Sequence, residues 1–208
     1  WNHFAEVIQS IGDLRKNTIP TITGTEFHAL LMAALVSPKD LILPKILDFR
    51  KALEQRDSVG EFRSRLMVMG SHLHDPDFIR IIESQGGLVV ADLFCTGAIP
   101  GFKSVEMNGN PIKSLAEHSF KKTLCPRMME DFDRRLKTII DTGKEYKVDG
   151  IVIEIIGVCD RWGVDSMPMV GGVGKEGIPV RRLEREYSMG GEGQLRTRVQ
   201  AFIESLGK

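Results

Sequence analysis

The stretch Gly150-Ile-Val-Ile-Glu-Ile-Ile156, which runs on into Gly157-Val-Cys-Asp-Arg-Trp-Gly163, decides the fold of this chain. A short run made almost wholly of Ile and Val reads as a strand buried on both faces, the kind that parallel sheets contain. The glycine after it ends the strand and opens a loop that carries a thiol, Cys159. In an open parallel sheet, ligands bind in the crevice at the carboxyl ends of the strands. Gly87-Leu-Val-Val-Ala-Asp92 repeats the pattern and puts Cys95 in the equivalent place. Two strand ends that each offer a soft sulfur donor to one crevice are the arrangement a metal or iron–sulfur centre needs.

Outward from these strands the periodicity alternates. Arg65-Leu-Met-Val-Met-Gly70 predicts a strand, and Asp75-Pro76 opens a helix through Ser84 with Phe78, Ile79 and Ile82 facing inward. Residues 95–125 are rich in glycine and read as a long irregular connection. A helix is expected from Pro126 through Thr142, with Met129, Phe132, Leu136, Ile139 and Ile140 on its apolar face. Around 164–175 the helical signal is weak, interrupted by Pro168 and Gly171-Gly172. The last strand is Ile178-Pro-Val-Arg-Arg-Leu-Glu184, and a final helix, 192–206, aligns Leu195, Val199, Phe202, Ile203 and Leu206. Strand and helix in alternation imply a parallel sheet with right-handed crossovers. The expected class is α/β: a four-stranded parallel flavodoxin-like sheet in the order 2-1-3-4, flanked by helices and preceded by a helical segment.

That segment covers residues 1–60, with the α/β domain at 61–208. Its first helix repeats Trp1, Phe4, Ile8, Ile11 and Leu14 every three or four positions. Thr23-Gly-Thr-Glu26 is a capping box, followed by a stripe of Phe27, Leu30, Leu31, Ala34 and Leu35. Ser37-Pro38 starts a further helix, and Pro44 is expected to restart one that runs to Gln55. The chain opens directly on an apolar helical face without an initiator methionine, which reads as the later part of a longer polypeptide.

The totals narrow the classes. Lys+Arg and Asp+Glu both number 28 in 208 residues, with no basic run, so nucleic-acid binding has no electrostatic support. No apolar stretch approaches the roughly 20 residues of a membrane span, and no signal peptide is visible. Three cysteines, an odd number, suit a reducing cytoplasm and a thiolate role better than disulfides.

The strand ends nominate the site residues. Ser71, His72 and His74 follow strand one, and Cys95, Thr96 and Gly97 follow strand two. Cys159 and Asp160 follow strand three, and Tyr187 with Gly190-Gly191 follows strand four. A helix beginning near 126 runs antiparallel to the strands, which brings Cys125 to the same edge. The cysteines stand 30 and 34 residues apart, spacings that match no compact zinc or ferredoxin pattern. A lone cysteine beside a strand also reads as a small buried hydrophobe. His72 and His74, with Asp75, could bind metal or move protons, or be plain loop polars. Gly172-Val-Gly-Lys-Glu-Gly177 matches G-x-G-x-x-G but leads into a strand instead of opening a helix after one, so it is a helix-ending turn. Gly190-Gly191-Glu-Gly193 does open a helix after a strand, and either an anion or a tight turn explains it. Arg181-Arg-Leu-Glu-Arg-Glu186 is expected to be a strand edge with solvated charge.

Several segments together resemble the subunits of the 2-hydroxyacyl-CoA dehydratase family, which includes the ATP-dependent benzoyl-CoA reductases. They are Thr21-Ile-Thr-Gly-Thr-Glu26, Gly87-Leu-Val-Val-Ala-Asp-Leu-Phe-Cys-Thr-Gly97, Cys125-Pro-Arg127, Val148-Asp-Gly-Ile-Val152 with Cys159-Asp160, Gly177-Ile-Pro-Val through Leu183-Glu-Arg-Glu-Tyr187, and Gly193-Gln-Leu-Arg-Thr-Arg-Val-Gln-Ala-Phe-Ile-Glu204. Each is short, but their order and spacing are specific, and they span nearly the whole chain. The match is to the C-terminal half of a family subunit.

The resemblance implies a [4Fe-4S] centre between two α/β domains, two of its cysteines coming from the first domain and one from the second. By motif the second-domain ligand falls on Cys159, with Cys95 in a shared motif as a further metal-ligand candidate. Ser71, His72, Thr96 and Gly97 are the substrate-binding candidates. The implied reaction removes water from a 2-hydroxyacyl-CoA through a ketyl radical, the alternative being one-electron reduction of an aromatic ring in benzoyl-CoA. The implied partners are a homologous second subunit and a separate ATP-dependent iron–sulfur activator, since nothing here resembles a P-loop. A non-catalytic flavodoxin-like binding or assembly protein is the competing class.

Overall fold

A computed structural model of the chain describes residues 1–95, 103–122, 125–188 and 190–207, with the backbone alone at 122 and 129. The strands are β1 (Ser64–Gly70), β2 (Gly87–Phe94), β3 (Gly150–Ile156) and β4 (Val180–Arg185). They form one sheet in the order β2-β1-β3-β4, every pair parallel, as the sequence predicts. The helices are α1 (Asn2–Asp13), α2 (Gly24–Val36), α3 (Lys39–Glu54), α4 (Asp77–Glu83), α5 (Pro111–Lys122), α6 (Phe132–Glu145), α7 (Asp160–Gly174) and α8 (Glu192–Ser205). Among the described residues no helix is long and apolar enough to cross a membrane.

Alternate side chains on a strand point to opposite faces, and the two faces carry different layers. Leu66, Val68 and Val152 pack under Phe78 and Ile82 of α4 and Val199 and Phe202 of α8. Met67, Met69, Ile151 and Ile153 pack under Ile139 of α6 and Trp162 and Met169 of α7. β2 lies at the sheet edge yet is buried at every position. Its cover is α2, which packs on it so closely that a Cβ at Gly24 would collide with Val89. Covering an edge strand with a helix removes a template for aggregation.

The leading helices share a core of their own, with Phe4, Ile8 and Ile11 against Phe27, Leu31, Ile46 and Leu53. The Thr23–Glu26 capping box forms as expected at the start of α2. Two devices fasten the leading helices to the sheet layer. Glu83 of α4 accepts from the backbone N–H groups of Gly24, Thr25 and Val89 and from the Thr25 hydroxyl. Arg15 reaches Asp92 in the middle of β2 at 2.7 Å, both side chains buried, with its guanidinium 3.8 Å from the centre of the Phe27 ring. Asp92, which reads as a strand end, is therefore an anchor within β2, and the strand continues to Phe94.

Prolines and glycines mislead at several boundaries. Pro44 lies inside α3 and does not restart it. The carbonyl it leaves without a donor belongs to Asp40, which is exposed, so water can satisfy it. Pro168 and Gly171-Gly172 likewise sit inside a continuous α7, and Val164, four residues before Pro168, is 73% exposed. The helix expected from Pro126 begins at Phe132, after a turn closed by Met128 N–H to the Cys125 carbonyl and a 3-10 turn at Met129–Asp131. Within 95–125, expected to be irregular, stands α5. Its start was legible: Pro111 takes the first helical position and Asn110 Oδ1 accepts from Lys113 N–H. The stripe Phe27, Leu31, Ala34 is buried as predicted, whereas Leu35 turns outward at 46% exposure.

Candidate functional site

Register sets the site. Gly70 pairs with Phe94 on one side and with Glu154 on the other, and Ile156 pairs with Arg185. The strands therefore end nearly level, and Ser71, Cys95 and the loop after Ile156 emerge together. Gly70 takes φ +143°, and a Cβ there would collide with the Glu154 carbonyl oxygen, so β1 and β3 close up only because the residue is glycine. At this rim, between the strand ends, α7 and the segment before α6, lies a cavity of about 780 Å³.

Cys95, Cys125 and Cys159 all line it, and all three are free thiols. Cys159 is half-buried at the N-cap of α7, where its N–H donates to the Ile156 carbonyl and its own carbonyl accepts from Gly163 N–H. The residue before it, Val158, has φ +65° and is 96% exposed. A β-branched residue in the left-handed region is strained. Cys95 accepts from Trp162 Nε1–H at 3.2 Å. Desolvation in the cleft pushes its thiol up, the Trp162 N–H pulls it back, and Cys125 and Cys159 push it up further. The Cys125 carbonyl accepts from Arg135, which also donates to the Met128 carbonyl and, at 2.7 and 3.1 Å, to both carboxylate oxygens of Asp165. Arg135 is buried, so this one side chain fixes the segment that presents Cys125.

Three sulfurs facing one cavity have the donor chemistry that iron–sulfur centres take. Among the described residues, however, no three His, Cys, Asp or Glu side chains converge closely enough to hold a metal ion. Ser71 and His72 line the cavity too. The Ser71 hydroxyl is buried and accepts from Ile156 N–H. Burial, with His74 and Arg185 nearby, holds the His72 imidazole below its ordinary value, so it is neutral near neutral pH. Thr96 and Gly97 lie outside the described residues. His74 does not line the cavity and lies in a ring stack, 5.8 Å from His72 and 5.2 Å from Tyr187 between centres. Gly172–Gly177 ends α7 and enters β4, as the sequence reading has it.

One pair escaped the sequence reading. Arg185, taken for solvated charge at a strand edge, is buried, with Nε 2.5 Å from Oε1 of Glu154 in the middle of the sheet. It also donates to the carbonyls of His72, Glu186 and Tyr187, tying the loops after β1 and β4 together. Burial pushes the Glu154 carboxyl up to about 7 against the pull of the arginine. The signal was present: Glu154 is the one charged residue in an apolar strand, and a buried charge requires a partner.

A chain named "Putative dehydratase subunit YjiM" from Escherichia coli strain K12 is 34% identical over 194 residues, covering 90% of this chain and 50% of that protein. The beta subunit of (R)-phenyllactyl-CoA dehydratase from Clostridium sporogenes is 27% identical over 189 residues, 89% of this chain and 49% of that one. The chain thus spans about half the length of these curated relatives. The family model described as 2-hydroxyglutaryl-CoA dehydratase, D-component, matches residues 2–206, and the chain belongs to that family.

Proposed function

We propose that these residues form the cluster-facing half of a subunit of a 2-hydroxyacyl-CoA dehydratase, acting on an acyl-CoA thioester with a [4Fe-4S] centre held partly by Cys159. The observation that carries the reading is the convergence of three thiols from distant segments on one cavity at the carboxyl rim, in a chain of this family. The donor chemistry fits the group, but the ligand count falls short, so the remaining ligands come from outside these residues. Cys159 is the first ligand and Cys95 the second candidate. Bound there, the cluster would supply a low-potential electron and a Lewis-acidic iron for a thioester carbonyl.

The chain's own residues have definable parts in this scheme. The indole N–H of Trp162 draws charge from the Cys95 sulfur, the kind of contact that tunes a thiolate ligand. Arg135 holds the Cys125 segment in place. Met69, Leu93, Phe94 and Ile139 give the cavity apolar walls that exclude water. His72 presents its imidazole to the same cavity. Both curated relatives carry dehydratase names, which favours water elimination over reduction of an aromatic ring. A homologous second subunit and an ATP-dependent activator complete the proposed assembly in a cytoplasmic, oxygen-free setting.

The test is anaerobic reconstitution of a polypeptide that joins these residues to the half present in the relatives. About four irons and four sulfides per chain are expected, with a marked loss in Cys159→Ala. Iron content and turnover unchanged by that substitution would remove Cys159 from the site. A correctly folded, iron-free protein would favour the non-catalytic binding reading.

A further inference from the structure

The two edges of the sheet are finished differently. Against β2 stands α2, whereas β4 pairs with β3 alone. Ile151 N–H donates to the Pro179 carbonyl and Gly157 N–H to the Arg185 carbonyl, so the odd-numbered residues of β4 turn their backbone groups to β3. The N–H and C=O groups of Val180, Arg182 and Glu184 point the other way, and among the described residues no backbone hydrogen bond ends on them. A row of this kind is a template for another strand. Arg182 and Glu184 are exposed on the face that carries α7, where Arg182 touches the Met167 sulfur at 2.7 Å. Neither makes an ion pair with a described residue. Helix α7 packs across β3 and β4 and exposes Val164 and Met167. Beside them Gly171 has open space where a Cβ would stand, whereas a Cβ at Gly172 would strike Leu136 of α6. An exposed glycine inside a helix weakens it, and packing within the described residues accounts for Gly172 but not for Gly171.

We propose that the free edge of β4, with the outer side of α7, receives a second copy of this chain and forms a two-fold dimer with one continuous sheet. The proposal goes beyond the cluster reading and does not depend on it. Charge selects the occupant and the register. In an antiparallel pairing centred on Leu183, Arg182 of one copy stands opposite Glu184 of the other, and Glu184 opposite Arg182, so both ion pairs form together. These are also residues whose backbone groups face outward, so each opposed pair exchanges its N–H···O=C hydrogen bonds. Arg181 then faces Arg185 of the second copy, whose charge Glu154 already answers. Moving the centre to Arg182 or to Glu184 keeps the hydrogen bonds but sets like charge against like charge. The spacing agrees. Strands lie about 4.8 Å apart and α7 sits over the β3–β4 pair, so a two-fold axis beside β4 sets the two copies of α7 about 10 Å apart. Helices pack at roughly 8–10 Å, which covers Val164 and Met167 and gives the missing side chain of Gly171 a use. Because the paired strands run antiparallel, the two rim cavities open at opposite ends and stay accessible.

The test is sedimentation velocity on the full 208-residue chain, with a thiol reductant present so that no disulfide links two copies. A monomer–dimer equilibrium is expected between roughly 1 and 100 μM. Arg182→Glu and Glu184→Arg each bring like charges together and should weaken the dimer at least about ten-fold, while the double variant returns close to wild type. Mixing the two single variants should give a heterodimer, since one copy then carries glutamates and the other arginines at the opposed positions. Met167→Lys, at a side chain exposed in the single chain, should weaken the dimer as well. A wild type that stays monomeric through that range overturns the proposal. So does a dimer that survives both single reversals, and so does a mixture of the two that fails to associate. A dimer indifferent to Met167→Lys would overturn the part given to α7. Iron binding at Cys159 is decided by none of these outcomes, so the two readings fail separately.

Discussion

The two ends of the same rim treat their polar groups in different ways. At the α4/α8 end, Arg185 is buried against Glu154 and three carbonyls, and His72, His74 and Tyr187 stack on one another. At the α6/α7 end, Arg135 is answered in the same way by Asp165 and two carbonyls, but the exposed guanidiniums of Arg127 and Arg161 and the half-buried Cys159 thiol face an open cavity. The first end answers its polar groups within the fold; the second does so for Arg135 but leaves a thiol and two guanidiniums open to the cavity. The exposed guanidiniums are solvated and cost the fold little, so what sets this end apart is the open cavity lined by three thiols. The difference fits the site proposed at the α6/α7 end, with Arg185 and Glu154 serving the fold at the other.

If that contrast holds, the largest effect on stability comes from the closed end. Arg185→Leu leaves Glu154 buried without its cation and three carbonyls without their donor. Breaking a buried pair from one side costs about 3–5 kcal/mol, so the urea midpoint at pH 7.5 should fall steeply. A loss under about 1 kcal/mol would show that this end is as solvated as its sequence suggests.

The next effect is a pH dependence of definite sign. The Glu154 carboxyl sits at about 7 in the folded chain against an ordinary 4.5, so between those values the folded state holds the proton more often than the unfolded one. Stability from this group is fully present below the ordinary value and is lost as pH rises through 7. At about 1.36 kcal/mol per unit the span is on the order of 3 kcal/mol. Glu154→Gln mimics the neutral carboxyl and should match wild type at pH 5 while removing most of the decline by pH 8. Parallel stability curves for the two proteins would place the titrating group elsewhere.

Most of the fold was legible because period is a local property. The four strands, their order and the helices over both faces follow from apolar alternation and from the handedness of crossovers. The rim cysteines were legible for a related reason, since a residue just past a buried strand must emerge at its end. What stayed hidden depends on neighbours that sequence does not name. Arg185 sits in a run of alternating charge, and only the register that pairs Ile156 with it shows that its side chain points inward to Glu154. Pro44 and Pro168 read as breaks because their cost depends on whether water reaches a carbonyl four residues earlier. The helix α5 went unseen for another reason. Its large apolar residues Ile112, Leu115 and Phe120 are 56–81% exposed, so no core-facing stripe announced it.

The smallest effect belongs to the open end, and its sign is the informative part. Val158 holds φ +65° with its side chain 96% exposed, immediately before Cys159. Replacing an exposed residue by glycine ordinarily destabilises by about 0.5–1 kcal/mol, through the freedom that glycine gains in the unfolded chain. Here the left-handed conformation already costs valine about 1–2 kcal/mol that glycine does not incur, and almost no apolar burial is lost. Val158→Gly should therefore leave the unfolding free energy unchanged or raise it by up to about 1 kcal/mol. A drop larger than about 1 kcal/mol would mean that the valine contributes packing to the closed state of the loop. With the expected sign, the loop that presents Cys159 carries strain that the rest of the fold holds in place. Strain retained beside a thiol and a cavity, where glycine would relieve it at no cost in packing, fits an end of the rim shaped for binding more than for stability.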